Sequence, residues 1–440
     1  ATCINEEMKI AAVKAIAALT KEPVPDFVTT AYGGGKISFG RDYLIPKPLD
    51  PRLIVRISTA VAQAAIASGV ARHEITDWEA YGFDLERRMG RDNQLLQAIR
   101  NKARAEGPRK ILFAGAERLN TLKAALQLYH DGLTYPILLG ERERLVTMAR
   151  ENNLDLNEKL ILDFRSDSEI DRRNRYAEIL FGKLNRQGLS LLDARKRMKE
   201  KDWFGLMAAY CNDVDSVILS YGRRYTKALE PARAIFKGIS YDLVAAMVIV
   251  MTKQGPMFFA DMAVNTEPTD QELVKITLLA NDFIKKLGVE PVIAMLSYSN
   301  FGTDTEEQAA KVARAVDMLH ERHPEILVDG EIKVDYALDT NARLEKFPFT
   351  KLGERDVNTF IFPNLSAANI SYKLVEMLGN AEVTGPVLLG INAGVHIISD
   401  YANVRSIANL AILATTDKIR AGSQECIVPE KKKKKQTDRQ

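Results

Sequence analysis

The sequence is poor in the residues that staple chains or cage metals. Its 440 residues hold three cysteines, Cys3, Cys211 and Cys426, and five histidines. The cysteines are odd in number, far apart and without ligand spacing. This excludes a disulfide framework or zinc knuckle and fits a reducing cytoplasm. His73, His130 and His396 are isolated; His320 and His323 share one helical stretch but have no third ligand nearby, so they read as surface side chains. Long apolar runs are also missing. None approaches the roughly 18 residues of a membrane span, and the apolar run 241–251 reads as a core element. Charge of one sign is not in excess: Lys plus Arg number 61 against 58 Asp plus Glu, a net charge of +3. The run 431–435 is all lysine, and without it the body is slightly acidic, which excludes a nucleic-acid-binding surface. There is no initiator Met, basic n-region or apolar leader, so the chain is expected to be truncated or processed.

What is present has clear periodicity. Asn5 is placed as a helix cap, followed by Glu6 and Glu7, and Met8, Ala11, Ala12, Ala15, Ile16 and Leu19 form an apolar stripe at helical spacing. The stripe is rich in alanine, and its close-fitting partner is expected upstream of Ala1. Residues 33–35 are three glycines; a flexible loop is favoured over a phosphate cradle, because no strand precedes them. Pro46, Pro48 and Pro51 make a stiff extended segment. A helix is expected over 53–69, and 81–107 reads as a linker with a connecting helix around 93–105. Gly107-Pro108 is the expected domain boundary.

From Arg109 onward, strand-like runs alternate with helical ones. Strands are predicted at 110–114, 136–139, 216–220, 258–261, 292–296, 357–362 and 387–389, with helices at 120–130 and 142–152. Apolar runs joined by helices predict a parallel α/β sheet covered on both faces. The length exceeds one comfortable core, so two lobes with a cleft are expected, with ligands at the carboxyl ends of the strands. Residues 421–440 are expected to be a disordered basic tail.

Two resemblances emerge. The segment from Ile4-Asn5-Glu6-Glu7-Met8-Lys9 to Ile45-Pro46-Lys47-Pro48-Leu49-Asp50-Pro51-Arg52 resembles the end of the catalytic region of bacterial NADP-dependent malic enzymes. Residues 1–80 would then be the C-terminal remnant of a Rossmann-type NAD(P)-binding domain. Residues 108–420 resemble the phosphate acetyl/butyryltransferase family. The strings are Phe259-Ala260-Asp261-Met262-Ala263-Val264-Asn265-Thr266-Glu267-Pro268-Thr269, Ala294-Met295-Leu296-Ser297-Tyr298-Ser299-Asn300-Phe301-Gly302, Val328-Asp329-Gly330-Glu331 and Phe362-Pro363-Asn364-Leu365-Ser366-Ala367-Ala368-Asn369-Ile370-Ser371-Tyr372-Lys373. The order matches that of fused malic enzymes carrying an appended transferase-like domain. It implies a two-lobed, three-layer α/β/α phosphotransacetylase-like fold, rich in parallel sheet.

The resemblance also implies a site. Active transferases use an S-R-G-x-S-x-x-D loop, in which Arg grips phosphate, Asp assists the thiol and Ser stabilises the tetrahedral state. Here the aligned residues are Ser399, Asp400 and Ser406: the cation has become an anion and the carboxylate is lost. A unit-charge pair at about 4 Å in an effective dielectric near 20 is worth roughly 4 kcal/mol before screening, so attraction for phosphate becomes repulsion. Arg405 is the nearby candidate for compensation. The family's Glu-Gly pair and following Arg are also absent from the aligned stretch Ala114 to Asn120, and Ser220-Tyr221-Gly222-Arg223-Arg224-Tyr225 replaces a His/Thr-rich loop. Arg224, Ser299, Asn300, Gly302, Asn364, Asn369, Lys373 and Ser399 are the expected acyl-CoA contacts, with helix capping as the alternative for Asn364 and Asn369. Asp329, Glu331 and Asp335 are acidic neighbours, read as a sheet-edge loop.

The fused malic enzymes imply oxidative decarboxylation of malate to pyruvate with NADP and Mg or Mn, acetyl-CoA as an allosteric effector, and a homo-oligomer, dimeric through the transferase-like domain and possibly hexameric. This chain alone is expected to oxidise no malate and to hold no metal. An active phosphate acyltransferase and a purely structural assembly domain remain as alternatives.

Overall fold

The alanine stripe of the first helix finds its partner within the chain. A computed structural model describes residues 1–22, 24, 28, 32, 37, 39–48, 50, 52–78, 81–82, 84–85, 94–222, 224–236, 240–252, 254–379, 381–391 and 393–416. The glycine run 33–35 and the lysine tail lie outside these residues. Helix Glu6–Lys21 packs on helix Arg52–Ala67, which corrects the expectation of an upstream partner. Small side chains on both helices allow the approach. Asn5 accepts from the Met8 amide at 3.0 Å and donates to Ser68 Oγ at 2.8 Å, so one side chain caps the first helix and ties it to the end of the second. The proline-rich string has a structural use as well. Asp50, 1% exposed, takes the Arg52 guanidinium at 2.6 Å and the Arg52 amide at 3.0 Å, seating the start of the second helix.

Contacts divide the chain into two units, Ala1–Gln94 with Thr252–Gly255, and Leu95–Met251 with Pro256–Gln440. Helix Gln94–Glu106, expected as a connector, buries Leu95, Leu96, Ile99 and Ala103 in the core of the second unit.

The second unit carries two sheets. The strands are β1 (Arg109–Phe113), β2 (Thr134–Leu139), β3 (Ile161–Leu162), β4 (Ser216–Tyr221), β5 (Ala245–Thr252), β6 (Gly255–Ala260), β7 (Ile293–Leu296), β8 (Val328–Ile332), β9 (Thr359–Ile361), β10 (Glu382–Leu389) and β11 (Gly394–Ser399). One sheet has the order β11-β4-β1-β2-β3 and is parallel throughout. The other runs β10-β5-β6-β9-β7-β8; β6, β9, β7 and β8 pair in parallel and β10 pairs with β5 antiparallel. Both sheets are rich in parallel pairs, as expected, with β10 the antiparallel exception among these pairs. Residues 241–251 are apolar because β5 is buried on both faces: Met247 and Ile249 join one cluster, Val248 and Val250 another. Helix Asp270–Lys286 starts at a capping box between Thr269 and Glu272, which explains the end of the Phe259 string.

Candidate functional site

In open parallel sheets the carboxyl ends of the strands offer loops and helix starts to a ligand. At those ends of the first sheet stand Gly115 after β1, Tyr221 and Gly222 at the end of β4, and Ser399 and Asp400 at the end of β11. At those of the second stand Asp261, the loop 297–302, Lys333 and Asn364. Helix Leu365–Leu378 brings the two sets together. Burial pushes the Tyr221 phenol up, the neighbouring Tyr372 phenol adds to this, and the Lys373 ammonium partly offsets it. For Lys373 itself, burial pulls the ammonium down, but the Tyr372 hydroxyl and the Glu376 carboxylate raise it overall.

The family strings are largely devices of the fold. Asp261, 3% exposed, accepts the backbone amides of Ala246 (2.9 Å), Ala263 (3.1 Å), Val264 (3.2 Å) and Asn265 (2.7 Å). Burial pushes its carboxyl up and those amides hold it back. Lys311, 8% exposed, joins Glu267 of one string (2.9 Å) to the carbonyl of Pro363 in another (3.1 Å).

Several expected acyl-CoA contacts make hydrogen bonds within the fold. Ser299 is 1% exposed and its hydroxyl donates to Glu331 at 2.9 Å; the Gly302 amide donates to the same carboxylate oxygen at 2.6 Å. The Asn300 side-chain oxygen accepts from the Lys333 amide at 2.8 Å. Asn364 caps helix Leu365–Leu378 through the Ala367 amide at 2.9 Å, whereas Asn369 lies within that helix, exposed and not a cap. Arg224 and Lys373 are exposed and Ser399 is half-buried. The acidic neighbours also serve the fold: Asp329 and Glu331 lie in the edge strand β8 rather than in a loop, and Asp329 takes Thr350 Oγ1 at 2.8 Å and the Lys351 amide at 2.6 Å. His320 is committed to the Val328 carbonyl at 2.8 Å, and among the described residues no three His, Cys, Asp or Glu side chains are grouped to hold a metal. No helix among them is long and apolar enough to cross a membrane.

The loop after β11 carries a specific charge pair. Asp400 does not stand as a bare negative charge. The guanidinium of Arg118 donates to its Oδ2 at 2.8 Å. Compensation was expected, if at all, from Arg405; that side chain instead pairs with Glu382 at 2.7 Å. Ser406 lies in the first turn of helix Val404–Ala414, its amide held by Asn403 at 2.8 Å and its hydroxyl 3.5 Å from the Val383 carbonyl. Three polar atoms nearby are buried without a hydrogen-bond partner: Asp400 Oδ1, Asp202 Oδ1 and Ser220 Oγ. Sequence reasoning missed Arg118, Asp202 and Ser220, although each lies beside the end of a strand, the place the sheet rule points to. A cavity of about 720 Å³ opens at the opposite end of β1 and β2, lined by Lys110, Tyr135, Ile137, Arg172, Arg175 and Asp213, and contains none of the expected contacts.

Residues 94–415 match the model of the Phosphate acetyl/butaryl transferase family. The chain belongs to this family. It is 30% identical to the phosphate acetyltransferase of Bacillus subtilis over 306 residues, covering 69% of this chain and 93% of that protein. A phosphotransacetylase structure from Streptococcus pyogenes superposes with a TM-score of 0.65 at 26% identity, covering 74% of this chain and 98% of that one. The malic enzyme resemblance also holds. The NADP-dependent malic enzyme of Escherichia coli is 35% identical over 424 residues, which is 95% of this chain and 55% of that enzyme. The chain therefore spans about half the length of the malic enzymes it matches, and it combines their sequence with the transferase family's fold.

Proposed function

We propose that this chain is the acyl-CoA-binding, regulatory region of an NADP-dependent malic enzyme, and that its transferase-like crevice does not transfer acyl groups. One observation carries the reading. Where a transferase needs a free cation for a phosphate leaving group, a carboxylate, Asp400, is fixed at the end of β11 and is paired with the guanidinium of Arg118. Ser406 offers no carboxylate base at the position expected for one. The exposed groups that remain for the ligand are Arg224, Asn369 and Lys373, with Ser399 beside them; cations can meet the phosphates of an acyl-CoA and amides its pantetheine.

In this reading NADP, Mg or Mn and malate oxidation belong to the part of the malic enzymes that this chain does not match. Among the described residues no three His, Cys, Asp or Glu side chains are grouped to hold a metal. The chain also pairs with a second copy of itself. Helix Leu365–Leu378 exposes Ile370, Leu374, Met377 and Leu378 at helical spacing, an apolar stripe that a partner would cover.

The alternative, an active acyltransferase, is favoured by Arg118, a cation beside the loop after β11 that could grip phosphate. Two measurements separate the readings. Calorimetric titration with acetyl-CoA is expected to give saturable binding, and a coupled assay with acetyl phosphate and CoA is expected to give no turnover. Turnover at rates typical of transferases would eliminate the regulatory reading, and absence of acetyl-CoA binding would leave assembly as the role.

A further inference from the structure

We propose that Arg118 and Asp400 form a closed anion site: the Arg118 guanidinium is a receptor for inorganic phosphate or a similar oxyanion, and the Asp400 carboxylate is its built-in competitor. Arg118 stands at the N-terminus of helix Leu119–His130, which is 12 residues long and has no side-chain cap. Such a helix start favours negative charge through its free amides. The Arg118 side chain is 55% exposed, so its far end is within reach of solutes, whereas the Asp400 side chain is only 11% exposed.

Asp400 is delivered by backbone. Its amide donates to the Tyr221 carbonyl at 2.9 Å, continuing the register in which Ser399 faces Tyr221. Gly222 permits the placement, since a Cβ there would lie 3.3 Å from Asp400 Oδ2. The carboxylate is not there for its own comfort: Oδ1 is buried without a hydrogen bond, and only Oδ2 meets the guanidinium. A second, independent orphan lies beneath the same turn. Ser220 is 9% exposed, its hydroxyl has no partner, and a Cβ on Gly115 would come within 2.7 Å of it. Gly115 opens the turn that Arg118 closes, through the Arg118 amide to the Gly115 carbonyl at 2.9 Å. The turn thus carries a guanidinium and a helix start, two groups that favour an oxyanion, above a buried unused hydroxyl, and a tethered carboxylate already meets the guanidinium. A tethered competitor acts at a high effective concentration, so free phosphate loses to it.

The inference deepens the non-transferring reading of the crevice, and the test keeps the two apart. Inorganic phosphate is titrated calorimetrically into the full chain and into Asp400→Asn, Asp400→Ala and Arg118→Ala/Asp400→Asn. Both single variants are expected to bind phosphate at least about ten-fold more tightly than the unaltered chain, and the double variant is expected to lose that gain. A natively folded Asp400→Asn with unchanged phosphate affinity, or a gain that survives Arg118→Ala, overturns the proposal. Nitrogen NMR of the Arg118 guanidinium in the unaltered chain is a further measure, which needs no variant. A restrained group insensitive to phosphate is expected; a freely rotating one that shifts with phosphate refutes the competitor. Acetyl-CoA titration of the same chains reads the pocket alone, so phosphate gain without acetyl-CoA binding sinks only the regulatory reading, and the converse sinks only the closed site.

Discussion

The Glu331 carboxylate receives the Ser299 hydroxyl at 2.9 Å, joining the loop after β7 to the edge strand β8. The same oxygen takes the Gly302 amide at 2.6 Å, so one buried acid fixes the middle and the end of the loop 297–302. Hydrogen bonds to a charged group contribute about 1.5–3 kcal/mol each, and buried donors left unmet cost a similar amount. Glu331→Ala is expected to lower stability by about 3 kcal/mol in urea melts and to raise hydrogen exchange in this loop, with Glu331→Gln keeping part of both. Unchanged exchange at Gly302 would contradict the assignment.

Asp202 gives a pH prediction. It sits in the first turn of helix Lys201–Tyr210, and burial pushes its carboxyl up; Lys201 partly opposes this, and Glu200 and Asp400 add to it. A folded-state value above the unfolded one contributes stability below the ordinary carboxylate range and loses it as pH rises through the folded value. At neutral pH the ionised side chain with its orphaned Oδ1 is therefore a cost. Asp202→Asn is expected to stabilise the protein by about 1 kcal/mol at neutral pH, with the advantage shrinking as pH falls. Melting curves across acid and neutral pH check this; a variant less stable at neutral pH contradicts it.

Arg343 is a cation at 0% exposure, and among the described residues its guanidinium meets no carboxylate. It serves carbonyls instead: Ala337 at 2.9 Å, Gly353 at 3.2 Å and Arg355 at 2.7 Å. Burial pulls its guanidinium down, offset in part by Asp356, Asp329 and Asp339. Arg343→Met is expected to cost about 3 kcal/mol or more, because the carbonyls stay buried and lose their donors. Chemical denaturation reads this directly, and a loss under about 1 kcal/mol would show that the carbonyls find other donors.

The proposed self-association predicts a change of mass without a change of fold. Leu374, 53% exposed, lies mid-stripe between Ile370 and Leu378. Leu374→Asp is expected to shift sedimentation toward the monomer while the circular dichroism spectrum is retained. An unaltered sedimentation coefficient would place the interface elsewhere.

Elements with a clean period were legible in the sequence. The helix at Leu119–His130 and the strands at Arg109–Phe113 and Ser216–Tyr221 lie within a few residues of expectation, because apolar spacing alone specifies them. β3, only 2 residues long, carries too little pattern to be seen. β11 was not among the expected strands, which ended at 387–389. Ser299 and Asn364 have the donors and acceptors of a ligand site, but short polar side chains in tight turns satisfy neighbouring backbone first, and no local pattern tells the two uses apart. The Arg118 contact was out of reach for a different reason: its partner lies 282 positions away, and only the sheet order brings them together.

That order has a developmental consequence. β11 pairs with β4 in the first sheet, yet it follows every strand of the second sheet in the chain. A nascent polypeptide can therefore assemble β1, β2 and β4 early but must leave their outer edge open until the rest has been made. Contacts over such separations form slowly, after long loops have closed. The crevice is thus a late product of synthesis, and any premature stop upstream of residue 394 yields a lobe with an unprotected sheet edge instead of half a working receptor.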